Sequence, residues 1–437
     1  MMVIENLRIL LLCRNKAKYL YVVLFLVFTI SCKNQITPKL IEIKVEQNVN
    51  NFKSFKLTNL TSDIEYIPLE ANKECNLLAI NHIDISPNFI FIDDGKKCIL
   101  FDKKGKFLRQ IGDYGRGPGE YYLPGHVKIN NESLFIPDVL GHKILVFDDR
   151  GNFLKKVKSP GKFTTEVQVC NWYPISDSTY LTQIPNDSGQ EKIRISFFNE
   201  KGEIIQEFPN TTFFKKEKEF YSTIDRTGHF YSINGKIRYK EELVDTLWQI
   251  DLERKQLVPI YKFDLGKMSF PTKYRGIKSG IQSQNAWMES ILIQRIFELN
   301  KYFIFKSIFH NHYPFDFKRQ ISYEGADWDL QHGIIGIYDK KNDDLFFVNA
   351  SNESDQPEPT GIENDVDGGV NFFPRYSKDG NLLVSWINPY ELKSYINSKS
   401  FKDYTPKFPE KKKELKKLAN SLDENDNPVL MLVKLKK

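Results

Sequence analysis

The stretch Ile99–Leu108, with the sequence ILFDKKGKFL, decides the fold. It consists of an apolar strand, an aspartate, two polar residues, a glycine and a second apolar strand. The pattern returns as LVFDDRGNFL at Leu145–Leu154 and as SFFNEKGEII at Ser196–Ile205. The aspartate or asparagine at the turn recurs at intervals of 46 and 51 residues. A repeat of about 40–50 residues built from short strands is typical of a β-propeller.

The whole chain predicts an all-β fold, a six-bladed β-propeller with small helical insertions. Six sets of strands are predicted, at about 82–111, 127–157, 166–208, 220–265, 302–348 and 371–433. The run Ile64–Leu69 precedes the first set, and we expect it to complete the last one, because pairing the two chain ends removes free strand edges. Pro68 makes this run an edge strand. The turn residues Asp102, Asp148 and Asn199 are expected to lie on outer hairpins and to shape turns only.

The fifth set is longer than the others, and one enlarged blade is the preferred interpretation. Its excess is predicted to form a helix near 281–298 and a loop at about 310–333. A Lys-rich helix is predicted at Pro409–Leu422. The predicted boundaries are a lipoprotein signal peptide at 1–31, a tether at 32–60 and the propeller at 61–437.

The N-terminus has the composition of a secretory signal. Lys16 and Lys18 precede the apolar run Tyr19–Ile30, and a small residue stands before Cys32. A basic region, a short apolar region and a small residue before the cleavage point describe such a signal. The context of Cys32 resembles a bacterial lipobox, which predicts a lipid-anchored, palmitoylated outer-membrane lipoprotein, periplasm-facing or surface-exposed. Thr29 replaces the commoner leucine, and an ordinary signal or a short anchor helix is the alternative.

Charge and cysteine content exclude some classes of function. The formal net charge is +6, and part of this excess lies in the signal region. The remaining basic residues are scattered, so no nucleic-acid partner is expected. Cys75, Cys98 and Cys170 match no metal-binding spacing, and neither a metal nor a cofactor is expected. The three cysteines allow one disulfide in an oxidising compartment, or buried free thiols, which is the simpler interpretation.

Four segments resemble the six-bladed β-propeller lipoproteins common in Bacteroidetes, which are related in fold to NHL-repeat propellers. The segments are Gly112–Tyr121, Asp245–Ile250, Asn364–Gly369 and Glu424–Leu430. The Gly-Arg-Gly-Pro-Gly-Glu run of the first segment is the most specific. The resemblance implies a secreted, lipid-anchored propeller for about residues 60–437. It implies no reaction, because NHL-type relatives include both binding proteins and a peptide-amidating lyase.

The glycine-rich segment Gly112–Tyr121 links the first two blades. Its glycines adopt positive φ at little cost and Pro118 stiffens the turn, which indicates a tight crossover between blades. The functional alternative places Arg116 and Glu120 at the mouth of the central channel, where Arg116 would hold a carboxylate or sulfate by paired hydrogen bonds. His126 follows the crossover and is a further candidate for the axis.

A second group of candidates lies near the end of the chain. Asn364, Asp365 and Asp367 resemble a calcium loop faintly, but the distal glutamate of such a loop is absent. A loop stabilised by Asx turns is the simpler interpretation. Arg375, just beyond this loop, is a second candidate for the channel face.

These patterns predict a binding module of the bacterial cell envelope, anchored to the membrane by lipid, for a glycan, a peptide or a partner protein. The anchor, the repeat and the lack of a catalytic motif favour this function over an enzyme. The alternative is a lyase or hydrolase with its site in the axial channel, which rests on fold analogy alone. A third interpretation is a structural role in an envelope assembly, with the insert near 266–333 as docking surface.

Overall fold

The repeated turn forms as the sequence predicts. In the computed structural model, the Asp102 carboxylate accepts hydrogen bonds from the backbone N–H groups of Lys104 and Lys106 at 2.8 and 2.9 Å. Gly105 closes this turn with φ of +83°, which a glycine adopts at little cost. Asp148 and Asn199 cap the corresponding turns of the next two blades in the same way.

The structure describes part of the chain, in eight ranges. They are 39–160, 171–217, 228–276, 281–314, 318–323, 326–331, 333–350 and 355–436. The predicted signal peptide, the lipidation candidate Cys32 and Cys170 lie outside the described residues.

The described residues form six blades, which confirms the predicted propeller. The blades are preceded by β1 (Ile41–Ile43), α1 (Val45–Asn48), β2 (Phe52–Lys53) and β3 (Glu65–Pro68). Blade 1 comprises β4 (His82–Ile85), β5 (Phe89–Asp93), β6 (Cys98–Asp102) and β7 (Phe107–Ile111), and is followed by β8 (Asp113–Tyr114) and β9 (Glu120–Tyr121). Blade 2 comprises β10 (Lys128–Asn130), β11 (Ser133–Asp138), β12 (Lys143–Phe147) and β13 (Phe153–Lys158). Blade 3 comprises β14 (Trp172–Pro174), β15 (Thr179–Gln183), β16 (Ile193–Asn199) and β17 (Ile204–Pro209).

The second half of the ring carries the insertions. Blade 4 comprises β18 (His229–Ile233), β19 (Lys236–Lys240), β20 (Thr246–Asp251) and β21 (Gln256–Phe263), and is followed by α2 (Ile281–Met288). Blade 5 comprises β22 (Leu292–Glu298) and β23 (Tyr302–Ile308), an inserted hairpin of β24 (Lys318–Tyr323) and β25 (Ala326–Gln331), then β26 (Ile334–Asp339) and β27 (Asp344–Val348). Blade 6 comprises β28 (Tyr376–Lys378) and β29 (Leu382–Ile387), three helices α3 (Pro389–Asn397), α4 (Lys399–Asp403) and α5 (Pro409–Ser421), and β30 (Val429–Lys434). Short 3₁₀ turns lie at Leu57–Asn59, Gly266–Met268, Thr272–Tyr274 and His310–His312.

The core consists of apolar layers between neighbouring blades, and β6 shows why the sequence supplies them. Ile99 and Phe101 pack toward blade 6, whereas Cys98 and Leu100 pack toward blade 2. Because both faces of the strand are buried, it is a continuous apolar run rather than an alternating one. Cys75 and Cys98 are buried free thiols.

The ring closes by the predicted pairing of the two chain ends. Strand β3 lies antiparallel to β30 at the outer edge of blade 6, with Glu65 opposite Leu432. The Thr61 hydroxyl donates a hydrogen bond to the Lys434 carbonyl at 2.7 Å. The pairing therefore gives β30 a partner on each side and makes the short strand β3 the outer edge of this blade.

The lead-in differs from the predicted tether in its described part, residues 39–60. Strand β1 adds to blade 4 by parallel pairing with β21, and β2 adds to blade 5 by parallel pairing with β27. The Asp365 carboxylate then accepts hydrogen bonds from the Thr58 backbone N–H at 2.9 Å and hydroxyl at 2.6 Å. The lead-in is thus built into blades 4 and 5 by backbone pairing and fixed to the Asp365 loop by side-chain bonds, none of which local sequence reveals.

The enlarged fifth blade also differs in detail from the prediction. The helix predicted near 281–298 ends at Met288, and residues Leu292–Glu298 form the inner strand β22. The predicted loop at about 310–333 contains the hairpin β24–β25. The predicted Lys-rich helix is present as α5. No helix within the described residues is long and apolar enough to cross a membrane.

Candidate functional site

The innermost strands of the six blades surround a cavity on the propeller axis. Its volume is about 990 Å³, and residues of β4, β10, β14, β18, β22 and β28 line it. Cavities of about 300–1,000 Å³ are of the size that holds small ligands in proteins. We call this space the axial cavity.

On one side of the axial cavity, a buried carboxylate connects three blades. Asp84 on β4 is 1 % exposed. It accepts hydrogen bonds from the backbone N–H of Ile129 in blade 2 at 2.7 Å, and from the Lys378 ammonium at 2.8 Å and the Tyr376 hydroxyl in blade 6. Burial alone raises the pKa of Asp84, but the charges of Lys378 and Lys128 outweigh it and hold the pKa below its ordinary value.

Where blade 5 adjoins blade 6, three basic side chains lie together, and we call Arg295, Lys306 and Arg375 the cation cluster. Arg295 on β22 lies directly opposite Lys306 on β23. The Arg295 guanidinium donates to the backbone carbonyl of Arg375 at 2.8 Å. Arg375 pairs with Glu358 and stacks over the Trp386 ring at 5.2 Å. Enclosure lowers the pKa of Lys306, and the two arginines lower it further.

Histidines complete the wall of the axial cavity. His82 contacts the buried Asp93 through Nδ1 at 2.7 Å, and its ring centre lies 3.8 Å from that of His126. Enclosure lowers the pKa of His126 well below its ordinary value, and lowers the pKa of His229 to about 3, with neighbouring cations adding to both effects. His126 and His229 are therefore neutral at physiological pH, and can accept or donate hydrogen bonds.

The predicted residues of the glycine-rich crossover do not line the axial cavity. The Glu120 carboxylate accepts a hydrogen bond from the Gly117 backbone N–H at 2.6 Å, and Arg116 donates to the Tyr122 hydroxyl. A side chain at Gly112, which has φ of +66°, would place its Cβ 2.7 Å from the Gly119 carbonyl oxygen. These contacts fit the tight crossover, and ligand binding by Arg116 or Glu120 stays a prediction.

The predicted loop of Asn364, Asp365 and Asp367 serves internal contacts. The Asp365 carboxylate accepts the two hydrogen bonds from Thr58 of the lead-in. The Asp367 carboxylate accepts hydrogen bonds from the Gly369 backbone N–H and the Asn364 amide, both at 2.8 Å. Burial raises the pKa of Asp367 to about 6. A smaller cavity of about 340 Å³ adjoins this loop, with Tyr404 in its wall. The described residues contain no group of three or more potential metal ligands.

Two of the sequence candidates, His126 and Arg375, do line the axial cavity. Sequence reasoning missed other charged residues and histidines of the wall, among them His82, Asp84, Lys128, His229, Arg295, Lys306 and Lys378. Many of them could be found by position, because the first strand of each blade faces the axis. Charged residues and histidines in that strand, where the other strands of the repeat are apolar, indicate the wall of the cavity.

One of two similar solved structures supports the fold, because its TM-score exceeds 0.5. A putative exported protein from Bacteroides fragilis NCTC 9343 has a similar structure, with 19% sequence identity, a TM-score of 0.64, and coverage of 91% of this chain and 100% of that one. A member of the DUF4221 family from Bacteroides vulgatus shares 11% identity, covering 66% of this chain and 85% of that one, with a TM-score of 0.41. No curated protein sequence matches the chain. The family model described as a domain of unknown function, DUF4934, matches residues 40–434, and the chain belongs to this family.

Proposed function

We propose that this protein is a binding module of the bacterial cell envelope and that the axial cavity is its ligand site. The observation that carries the proposal is a cavity of about 990 Å³ formed by the inner strands of all six blades. A glycan, a peptide or a protruding segment of a partner protein would enter this cavity. The fold similarity to an exported Bacteroides protein supports placement outside the cytoplasm.

Isothermal titration of the purified protein against glycan and peptide panels tests this function. The variant Ser377→Trp places a large ring at the wall of the axial cavity, and we expect it to abolish binding. The matched control is Ser421→Trp, at the exposed end of α5. Binding that Ser377→Trp leaves unchanged, or flat titrations throughout, would contradict a ligand site in the axial cavity.

The membrane anchor belongs to the same proposal. A lipid on Cys32 would hold the module at the outer membrane, as the lipobox-like context of this residue suggests. Labelling of cells with a palmitate analogue and fractionation of their membranes test this anchor. The variant Cys32→Ala is expected to lose the label and leave the membrane fraction, and retention of both would contradict lipidation. A relationship to NHL-repeat propellers is proposed on the sequence resemblance.

A second candidate function is an enzyme, and one observation favours it. The buried Asp93 carboxylate holds Nδ1 of His82 at 2.7 Å, and such a pair fixes the orientation of an imidazole that acts as general base or acid. A lyase or hydrolase would use His82 in this role. Turnover of any bound ligand that His82→Ala abolishes while binding persists would support catalysis, and unchanged ligand after prolonged incubation would oppose it.

A further inference from the structure

We propose that the ligand of the axial cavity is an anion, a molecule carrying carboxylate or sulfate groups, and that the cation cluster holds its charge. This inference rests on the binding function proposed above and names the chemical class of the ligand. The argument starts from the strand pairing that brings the cluster together.

The pairing of β22 with β23 places two like charges opposite each other. Arg295 and Lys306 are direct partners across the antiparallel strands. Like charges in this position destabilise a sheet. Arg375, at the start of the neighbouring blade, adds a third positive charge, and its backbone carbonyl is bonded to Arg295. Three neighbouring positive charges lower the stability of the free protein. A bound anion that neutralises them would explain why the protein has this arrangement.

The acidic groups nearby do not neutralise the cation cluster. Glu358 pairs with Arg375, and the Glu242 carboxylate accepts a hydrogen bond from the Gln294 amide at 2.9 Å. Among the described residues, no carboxylate forms an ion pair with Arg295 or Lys306. After enclosure, the largest influences on the pKa of Lys306 are the two arginines, which exceed the opposing effects of Glu358 and Glu242. The cluster therefore keeps an excess of positive charge.

The positive charges also act on the histidines of the axial cavity, although its wall includes the acidic residues Asp84, Glu132, Glu242 and Asp379. The charges that lower the pKa of His126 come from Lys128, Arg295 and the other histidines, and those acting on His229 come from lysines and Arg295. Nε of Arg375 and Nε2 of His229 have no hydrogen-bond partner among the described residues. Buried polar atoms normally have partners, so these two nitrogens are polar groups left unsatisfied in the free protein.

The volume of the axial cavity indicates that the anion is part of a larger molecule. A single carboxylate would fill a small part of about 990 Å³. The remaining wall includes the rings of Tyr173, Tyr231 and Trp386 and the amides of Asn171 and Gln294. Rings and amides of this kind suit the body of an acidic saccharide or of an acidic peptide, and the same cations would bind either source of charge.

Isothermal titration with matched pairs of probes tests the inference. The probes are trigalacturonate and its methyl ester, a sulfated trisaccharide and its unsulfated form, and a tripeptide of glutamate and its glutamine counterpart. We expect at least one acidic probe to bind about tenfold or more tightly than its neutral partner, since hydrogen bonds to charged groups have about this strength. Its affinity should fall as the salt concentration rises. The member of the panel that binds identifies the source of the charge.

Two variants assign the effect to the cation cluster. Arg295→Gln and Lys306→Gln are each expected to weaken binding of the acidic probe about tenfold or more. Arg254→Gln, on an outer turn where Arg254 neighbours Asp251, is the control and should bind within about twofold of wild type. Thermal unfolding without ligand should place Lys306→Gln at or above the wild-type midpoint, because the repulsion is relieved, and Arg295→Gln close to it, because that variant also loses the bond to the Arg375 carbonyl. Lost binding with preserved stability then excludes misfolding.

The outcomes separate this inference from the binding function on which it rests. Equal binding of acidic and neutral probes, or wild-type affinity in Arg295→Gln and Lys306→Gln, would overturn the anionic assignment. If that neutral binding is abolished by Ser377→Trp, the axial cavity remains the ligand site. Failure of every probe to bind would overturn the anionic assignment, and flat titrations against the wider panels would overturn the binding function as well.

Discussion

Removal of the Asp84 carboxylate should destabilise the ring more than removal of an equally short surface ion pair. Asp84 joins blade 1 to blades 2 and 6 through Ile129, Lys378 and Tyr376. The variant Asp84→Ala leaves a backbone N–H, a hydroxyl and an ammonium without this acceptor. Because the carboxylate is 1 % exposed, water does not replace it easily.

The expected cost follows from the burial of the two partners. Truncation of one partner of a buried ion pair costs about 3–5 kcal/mol. Lys378 keeps 33% of its side chain exposed, so the lower end, about 3 kcal/mol, is appropriate. The control is Asp344→Ala, which removes a pair of similar length, 2.7 Å to Lys53, whose side chains are 42% and 44% exposed. An exposed pair of this kind contributes about 0–1 kcal/mol.

Equilibrium unfolding in urea at pH 7 measures both variants. The pKa of Asp84 is lower in the folded protein than in the unfolded chain, so its contribution is complete above the unfolded value of about 3.9 and declines as the pH falls through the folded value. The difference between wild type and Asp84→Ala should therefore be constant from pH 5 to 7 and shrink below about pH 4. Equal losses for Asp84→Ala and Asp344→Ala would refute the assignment of Asp84 as the connection between blades.

Three further predictions concern other buried groups. Burial raises the pKa of Asp367 to about 6, so the contribution of its protonated form to stability is complete below about pH 4 and is lost as the pH rises through 6. Urea unfolding should show wild type losing about 3 kcal/mol of unfolding free energy relative to Asp367→Asn between pH 4 and pH 8, and parallel pH profiles would contradict this. The Asn427 side chain forms hydrogen bonds with three backbone groups of the segment before blade 1. Asn427→Ala should therefore cost about 3 kcal/mol of unfolding free energy, and the control Asn425→Ala, at an exposed position, less than about 0.5 kcal/mol. Similar costs for both variants would contradict a stabilising role of these three bonds. Cys75 and Cys98 are buried, and burial raises the pKa of both thiols; neither should react with a thiol reagent until the protein is unfolded, and rapid labelling of the native protein would show that one of them is accessible.

The blades could be predicted where local signals agree. In blade 1 the predicted strands match the observed ones within one residue, because β-branched and aromatic runs alternate with turns that contain Pro87, Gly95 and Gly105. The signal failed at Leu292–Glu298, where apolar residues three and four apart fit a helix as well as a strand. Only the pairing with β23 makes this segment a strand. The short strand β1 could not be predicted from local sequence either, because its partner strand, which contains Tyr261, lies far along the chain.

The candidate site was less predictable than the fold, for a related reason. His126 and Arg375 line the axial cavity and are found from the sequence because each follows a recognisable crossover or loop, and ligand binding by either stays a prediction. Arg295 was missed because it lies in the segment read as a helix, which hid its position on an inner strand. Arg295 becomes a candidate only because Lys306 lies opposite it on the neighbouring strand. Sequence spacing does not show which residues of two strands lie opposite each other.

The pairing of β3 with β30 sets an order of events for a newly made chain. Glu65 can pair only after Leu432, which lies 367 positions later in the sequence, has been made. Closing a loop of this length costs about 5 kcal/mol of chain entropy. Blades 1 to 5 pair mostly within themselves and gain their contacts earlier, as the chain emerges from its N-terminus. Until β30 is made, β3 lacks its partner and is an unpaired strand of the sort that recruits a second chain. The hazard of aggregation therefore lasts until β30 is made, and a partner that shields β3 during this interval would act on yield without changing the finished ring.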